Sequence, residues 1–373
     1  MNQNNLTQIF THYIERFEEL NNSINSEYYK WEIAMKFRPM MDEALTADIL
    51  DFPAKLRLVR NITENLIDSY TQPFSGLCYF AEKNPSIVRK MFLDLYRDDG
   101  GDLDVRMEKI HAFLMQSREL RDQYKNGSFL YNDDFHSVTC YLFLYDPDHN
   151  YIYKATNAHE FADCAEFYDD WGGGDNVRLD VYYRMCDELV AEMKADEDLM
   201  KTDATRFSVY ANGNNLYPDS EKHVLAVDII YCCLAYGLFD GISYSKLNSK
   251  EKQIHREKAE KAKKAEADLA EAMTDEQKLE EALFCLQKAF SQGKSLTHTK
   301  FGQGIITSIQ EDKAEILFEK QGMKVLSLSS AIGAGAVLTE SEKLIQYQPI
   351  LKRAQVIRNK VKYAREEVEK YRL

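Results

Sequence analysis

Few residues of this 373-residue chain are spaced for chemistry, and each candidate meets a specific obstacle. Asp146, Asp148, His149 and His159 offer oxygen and nitrogen ligands for a cation. A calcium loop beginning at Asp146 needs glycine at its sixth position and glutamate at its twelfth, where Tyr151 and Asn157 stand. Zinc chelation from one helix face needs a second His or Cys four residues on, and neither histidine has one. Asp228 lies within the apolar run 224–239, where a carboxylate is either an acid–base group of raised pKa or a hydrogen-bond partner for a neighbouring helix. The second role is the expectation. Gly172, Gly173 and Gly174 could cradle an anion with their amides, but Asp169, Asp170 and Asp175 crowd them with negative charge, so they read as a connector. Gly293-Lys294-Ser295 ends like a phosphate loop, yet Lys288 stands where the loop's first glycine belongs and no strand precedes it. No nucleophile-elbow or cysteine-protease signature is present. No catalytic residue, cofactor or metal site is therefore assigned.

Composition narrows the class of protein. Hydrophobic residues make up 45% and aromatic residues 12%, enough for a sizeable ordered core in two or three domains. The seven cysteines form no C-x-x-C pair, and no signal peptide opens the chain, so reduced thiols in a cytoplasm are expected. The longest apolar run is interrupted by Asp228 and too short to span a bilayer, so no membrane association is expected. The net charge of −14 is unevenly spread. Residues 246–373 hold 24 Lys and Arg against 19 Asp and Glu, leaving 23 against 42 in residues 1–245. An acidic block of that size repels phosphate backbones, so nucleic acid has access only through the C-terminal third. There the last helix carries Lys352, Arg353, Arg358, Lys360, Lys362, Arg365, Lys370 and Arg372, with Tyr363 and Tyr371 among them. Glu366, Glu367 and Glu369 cut its potential, and it reads as a solvated face.

The elements that must position these residues are mostly helices. Leu6, Ile9, Phe10, Tyr13, Ile14, Phe17 and Leu20 recur at helical spacing over 5–21. Further helices are predicted over 26–37, stopping near Pro39, and after Asp51 with Pro53 in the first turn. Others follow Pro85 and cover 103–124, 158–168, 177–193 and 224–239, with a polar loop over 210–219. Residues 136–153 are apolar and end in a turn at Asp146-Pro147, a pattern that fits strand or buried helix. Residues 246–272 are rich in Lys, Glu and Ala and read as a solvated helical linker, with a capping box at Thr274 restarting a helix. Thr339 to Glu342 cap another helix, which Pro349 should break before the final one.

Residues 297–329 differ in kind. A turn, His298-Thr-Lys-Phe301-Gly302-Gln-Gly304, leads into short runs rich in β-branched residues. Ala314, Ile316 and Phe318 alternate with Lys313, Glu315 and Leu317, and Gln321-Gly322 turns the chain again. These residues resemble the Tudor/SH3-like domain at the C-terminus of the UvrD/PcrA/Rep superfamily 1 helicases. That domain carries an H-x-x-F-G-x-G turn, matched by His298, Phe301, Gly302 and Gly304. Its later V-x-F-x-x-x-G-x-K-x-L pattern is matched by Ile316, Phe318, Gly322, Lys324 and Leu326, with isoleucine in place of valine. The resemblance implies a small, partly closed barrel that docks on other proteins, RNA polymerase among those of the helicases; no helicase motor accompanies it here. Ser137, Leu142, Pro147 and Tyr153 are loosely similar to the helical region ahead of the ATPase in McrB-like restriction proteins. That likeness favours helix over strand for 136–153 and implies a defence or DNA-processing setting, although no ATPase follows.

The expected architecture is thus mainly α: an acidic multi-helix domain over 1–245 and a charged helical linker over 246–292. A Tudor/SH3-like barrel follows over 293–338, then a basic helix over 339–373. The expected function is a non-enzymatic adaptor whose barrel docks on a protein partner, with Phe301 or Lys324 as exposed contact residues. The alternatives are an enzyme or enzyme subunit with its site in the helical domain, near Asp146 to His159 or near Asp228, and an acidic mimic of DNA.

Overall fold

The computed structural model describes all residues except 23, 64, 65, 68, 69, 125, 126, 128, 210–214, 311, 372 and 373. The chain packs as two compact units, Met1–Lys252 and Gln253–Leu373. Among the described residues no helix is long and apolar enough to cross a membrane. All seven cysteines are free thiols.

In the first unit, amphipathic periodicity becomes packed helix. Gln3–Glu15 buries Leu6, Ile9, Phe10 and Tyr13, and Asn2 caps it by accepting from the Asn5 amide at 3.2 Å. Phe17–Leu20 adds one more turn. Tyr29–Thr46 runs through Pro39 instead of stopping there. The proline removes the hydrogen bond that the Met35 carbonyl would have accepted, and Met35 lies on the exposed side, where water can replace it. Beyond Pro39, burial of Met41, Ala44 and Leu45 stabilises the continuing helix. The helices Phe52–Thr63, Pro73–Lys83, Pro85–Leu95 and Leu103–Tyr124 follow. Residues 136–153 resolve as a buried helix, Phe135–Tyr145, then a single 3-10 turn, Pro147–His149. Asp134 starts that helix with a reciprocal capping box to Ser137, and the helix is apolar on nearly every side because neighbours enclose it. Phe74, Phe92 and Phe113 each meet the Tyr141 ring at 5.1–5.7 Å, a geometry that aromatic quadrupoles favour. Ala155–Cys164, Leu179–Ala195, Glu197–Val209 and His223–Ala235 complete the unit around one continuous core. Of the loop expected over 210–219, residues 210–214 lie outside the described residues.

The second unit opens within the first turn of a helix, Ser249–Ala289, that passes through the expected restart at Thr274. The Thr274 hydroxyl donates back to the Ala270 carbonyl at 3.0 Å instead of capping a new helix. Leu279, Ala282 and Leu286 on one face of this helix pack onto an antiparallel sheet. The strands β1 (Ser295–His298), β2 (Gly302–Gln310), β3 (Lys313–Phe318) and β4 (Gly322–Ser327) lie in sequence order, with a bulge between Ile306 and Ser308. The expected barrel closure is not formed among the described residues. The outer edge of β1 is taken by the segment around Val337, with the Leu338 amide donating to the Thr297 carbonyl and the Thr299 amide to the Ala336 carbonyl. That occupies the edge a closing strand would need, so the sheet stays open. Glu342–Lys352 and Ala354–Tyr371 end the unit, and Pro349 sits inside the first of these without breaking it early.

Gly333 ends the short helix Leu328–Gly333 where it crosses Glu342–Lys352. A Cβ there would stand 2.4 Å from the Lys352 backbone nitrogen, which cannot swing aside. Gly333→Ala is expected to destabilise this unit by about 1–3 kcal/mol through overpacking. Trp31 and Trp171 both lie in the first unit, so its tryptophan-reported unfolding should not move while the second unit melts earlier by circular dichroism.

Candidate functional site

The open sheet places the sequence-singled residues in two different environments. The His298 ring nitrogen Nδ1 accepts from the amides of Lys300 (3.0 Å) and Phe301 (3.3 Å), which sets the turn. Phe301 is half-buried, stacked 4.4 Å from the His298 ring and 5.4 Å from Phe318, at the border of the core. Gly302 takes a φ of 78° in the same turn, and a Cβ on Gly304 would meet Ile316 and Phe318 at 2.7 Å. All four residues of the turn pattern therefore serve its construction. Lys324 pairs with Ile316 across the ladder and so belongs to the core-facing side of the edge strand, with its side chain exposed and in no ion pair among the described residues.

The opposite face of the sheet was not singled out as a surface by sequence reasoning. Cross-strand partners share a face, and the register aligns Ile305 with Leu317, Leu317 with Met323, and Glu315 with Val325. Ile305, Leu317, Met323 and Val325 are 54%, 49%, 52% and 61% exposed, so one apolar patch runs over three strands. It borders β4, whose outer edge pairs with no strand among the described residues. The alternation of β3 carried the signal: Leu317 occupies an outward position where a solvated strand has a polar residue.

In the first unit, Asp228 is fully buried and holds three helices together. Its carboxylate accepts from the Tyr13 hydroxyl at 2.6 Å and pairs with the Lys30 ammonium at 2.5 Å. Lys30 also pairs with Glu27 at 2.7 Å and sits 4.1 Å from the centre of the Tyr231 ring. Burial pulls the Lys30 pKa down, but Asp228 and Glu27 outweigh it and hold the ammonium well above its ordinary value. Arg206, also fully buried, donates to Tyr13 (2.8 Å) and Asn21 (2.5 Å), pairs with Asp203 and lies over the Trp31 ring at 3.7 Å. The whole cluster is paired, which is what charges in a low-dielectric interior require.

Lys30 forms part of the floor of a cavity of about 450 Å³, within the size range of small-molecule sites. Tyr29, Phe135, Tyr153 and Tyr231 give it aromatic walls, and His136, Lys154 and Asn157 give it polar ones. Cys140 Sγ lies 3.5 Å from His136 Nε2, a spacing that suits a nucleophile and its base. Burial defeats that use, since it pushes the Cys140 thiol far up and pulls His136 down to about 4, leaving both neutral near pH 7. Sequence reasoning missed Lys30; the one mark it carries is its place on the stripe with Ala34, Phe37 and Met41, where a core residue belongs.

The remaining candidates do not converge. His149 pairs with Asp146 at 3.0 Å near the surface, while His159 stacks on Trp171 at 4.8 Å. No group of three or more potential metal ligands forms among the described residues. Lys294 donates to the Lys288 and Ala289 carbonyls and so caps the long helix. In the last helix, Lys360, Lys362, Arg365 and Lys370 are drawn into ion pairs with Glu271, Glu366, Glu276 and Glu367, and Arg372 lies outside the described residues.

Fold and surface together define a mainly α protein that carries a small open antiparallel sheet with an apolar outer face. No protein-family model, curated protein or solved structure matches the chain significantly.

Proposed function

We propose that the chain is an interaction protein whose C-terminal sheet docks on a protein partner. The observation that carries this reading is the patch of Ile305, Leu317, Met323 and Val325 beside the unpaired edge of β4. An extended partner segment would add as a fifth strand, its backbone bonding β4 and its alternate apolar side chains packing beside Met323 and Val325, while the partner's body covers Leu317 and Ile305. Lys324, on that edge strand, would favour an acidic residue in the segment, and Phe301 would support the turn rather than touch the partner. The likeness to the Tudor-like helicase module supports docking as the role, and the looser McrB-like likeness of residues 136–153 supports a nucleic-acid-processing or phage-defence setting as the context.

The test compares the full chain with Val325→Glu and Leu317→Glu variants in nuclease-treated capture experiments. A specific partner should be retained by the parent chain and bound at least about tenfold more weakly by either variant, whose melting should stay unchanged. Equal capture by all three proteins would remove the sheet face from the proposal.

A second reading, an enzyme or enzyme subunit with its site in the helical unit, is favoured by one observation. The cavity touches both the segment from Tyr153 to Asn157 and Lys30, the partner of Asp228.

A further inference from the structure

The cavity of the first unit changes character with depth. Phe135, Ile152, Tyr153, Val227 and Ile230 line it and are all buried, so the inner part of an occupant meets aliphatic and aromatic carbon. The buried charge among them, Lys30, is matched by Glu27 and Asp228. At the mouth the charges are of both signs. Asp134 and Lys154 line the cavity, both are exposed, and neither enters an ion pair among the described residues, with the other or with any third group. Asp175, also a lining residue, pairs with Arg118 at 2.7 Å.

The two open charges act on one place. Burial pulls the pKa of the lining residue His136 down, Asp134 raises it and Lys154 lowers it, so both fields reach the same ring. The Lys154 ammonium stands 5.6 Å from the ring of Tyr231, another lining residue. Asp134 accepts from the Ser137 amide through one oxygen, at 2.9 Å, and a carboxylate has acceptor sites beyond that bond. A ligand with a single charge would gain from one of these two residues and be repelled by the other. A ligand that carries both charges gains from both, and an apolar remainder would fill the inner zone.

We infer that this cavity binds a zwitterionic amino acid with an apolar or aromatic side chain, its carboxylate paired with Lys154 and its ammonium with Asp134. The side chain lies between Phe135, Tyr153 and Ile230. This inference rests on the second reading above, that the helical unit carries a working cavity, and not on the docking role of the sheet.

The experiment is isothermal titration of the full chain with free leucine, phenylalanine, tyrosine and tryptophan. Each is compared with its decarboxylated amine and its deaminated acid, and benzyl alcohol serves as an uncharged probe. At least one amino acid should bind, with its amine and its acid each about tenfold weaker or more. Lys154→Gln should weaken the amino acid by a similar factor without weakening the amine, and Asp134→Asn should do so without weakening the acid. Asparagine caps a helix as well as aspartate does, and Lys154 is exposed, so both variants should fold; matching thermal melts would verify this. An amine, an acid or benzyl alcohol that binds as tightly as the amino acid would overturn the zwitterion assignment and keep the cavity as a site. No binding by any probe would overturn the inference and the cavity's role together.

Discussion

Asp228→Ala is expected to cost the first unit about 3–5 kcal/mol, the usual effect of breaking a fully buried ion pair from one side. The loss goes beyond one contact. Removing the carboxylate leaves the Tyr13 hydroxyl without its acceptor and leaves Lys30, buried to 2% exposure, facing Glu27 alone. Tyr13 also receives the Arg206 guanidinium, so the disturbance reaches a second buried cation. Three helices, Gln3–Glu15, Tyr29–Thr46 and His223–Ala235, meet through these groups, and their separation would expose the apolar faces that the cluster sits between. Urea unfolding followed by tryptophan fluorescence reads this directly, because Trp31 stacks under Arg206 and Trp171 lies in the same unit. Adding Lys30→Met to an Asp228→Leu background should recover part of the loss, since two apolar groups of similar volume replace a pair whose desolvation is itself costly. A loss below about 1 kcal/mol for Asp228→Ala would show that water reaches the cluster.

How far the sequence revealed this arrangement depends on what kind of signal each residue carries. Asp228 was legible because a lone carboxylate in an apolar run needs a partner, and the expected hydrogen bond to a neighbouring helix is there as Tyr13. Its partner Lys30 was not, because a lysine in a helix is ordinary and only its position on the buried stripe marks it. Local rules failed where tertiary packing overrode them. Pro39 stays inside its helix because core contacts follow it, and Thr274 does not cap because the helix it would begin already has a preceding turn to bond. The strand alternation around Ile316 was readable to the residue, whereas barrel closure was not. Closure depends on which segment takes the edge of β1, and the segment around Val337 carries no strand pattern. The cavity could not be read at all, since Lys30, His136, Lys154 and Tyr231 come from four separate stretches of chain.

The stability of the first unit should fall as pH rises from about 4 to about 6.5, in the share contributed by two buried carboxylates. Asp133 is enclosed by Phe135–Tyr145 and Leu103–Tyr124, and burial pushes its pKa up to about 6 even though Ser117, Ser137 and Tyr141 all donate to it. Asp219 is pushed up to about 6 in the same way, against the pull of the Val224 and Leu225 amides that it accepts at the start of His223–Ala235. A carboxyl whose folded pKa lies above its unfolded value binds its proton more tightly in the native state. Its contribution is therefore fully present below about pH 4 and is lost as pH climbs through about 6. Raising a carboxyl from its ordinary range to about 6 corresponds to about 3 kcal/mol for each group. His136 acts with the opposite sign, because burial pulls its pKa down to about 4 and the unfolded chain then holds the extra proton between that value and its ordinary pKa. Its contribution rises with pH over the same window and masks one of the two carboxylates in the parent protein. Asp133→Asn separates them. Across pH 4 to 7 the parent should lose about 3 kcal/mol relative to this variant, measured by urea unfolding at each pH with tryptophan fluorescence. The hydroxyls of Ser117 and Tyr141 can turn to accept from the new amide, so the variant keeps its local bonds while shedding the titration. Parallel stability curves for the two proteins would mean that Asp133 titrates in the folded state as it does in the unfolded chain, and that its three hydroxyl donors fully offset its burial.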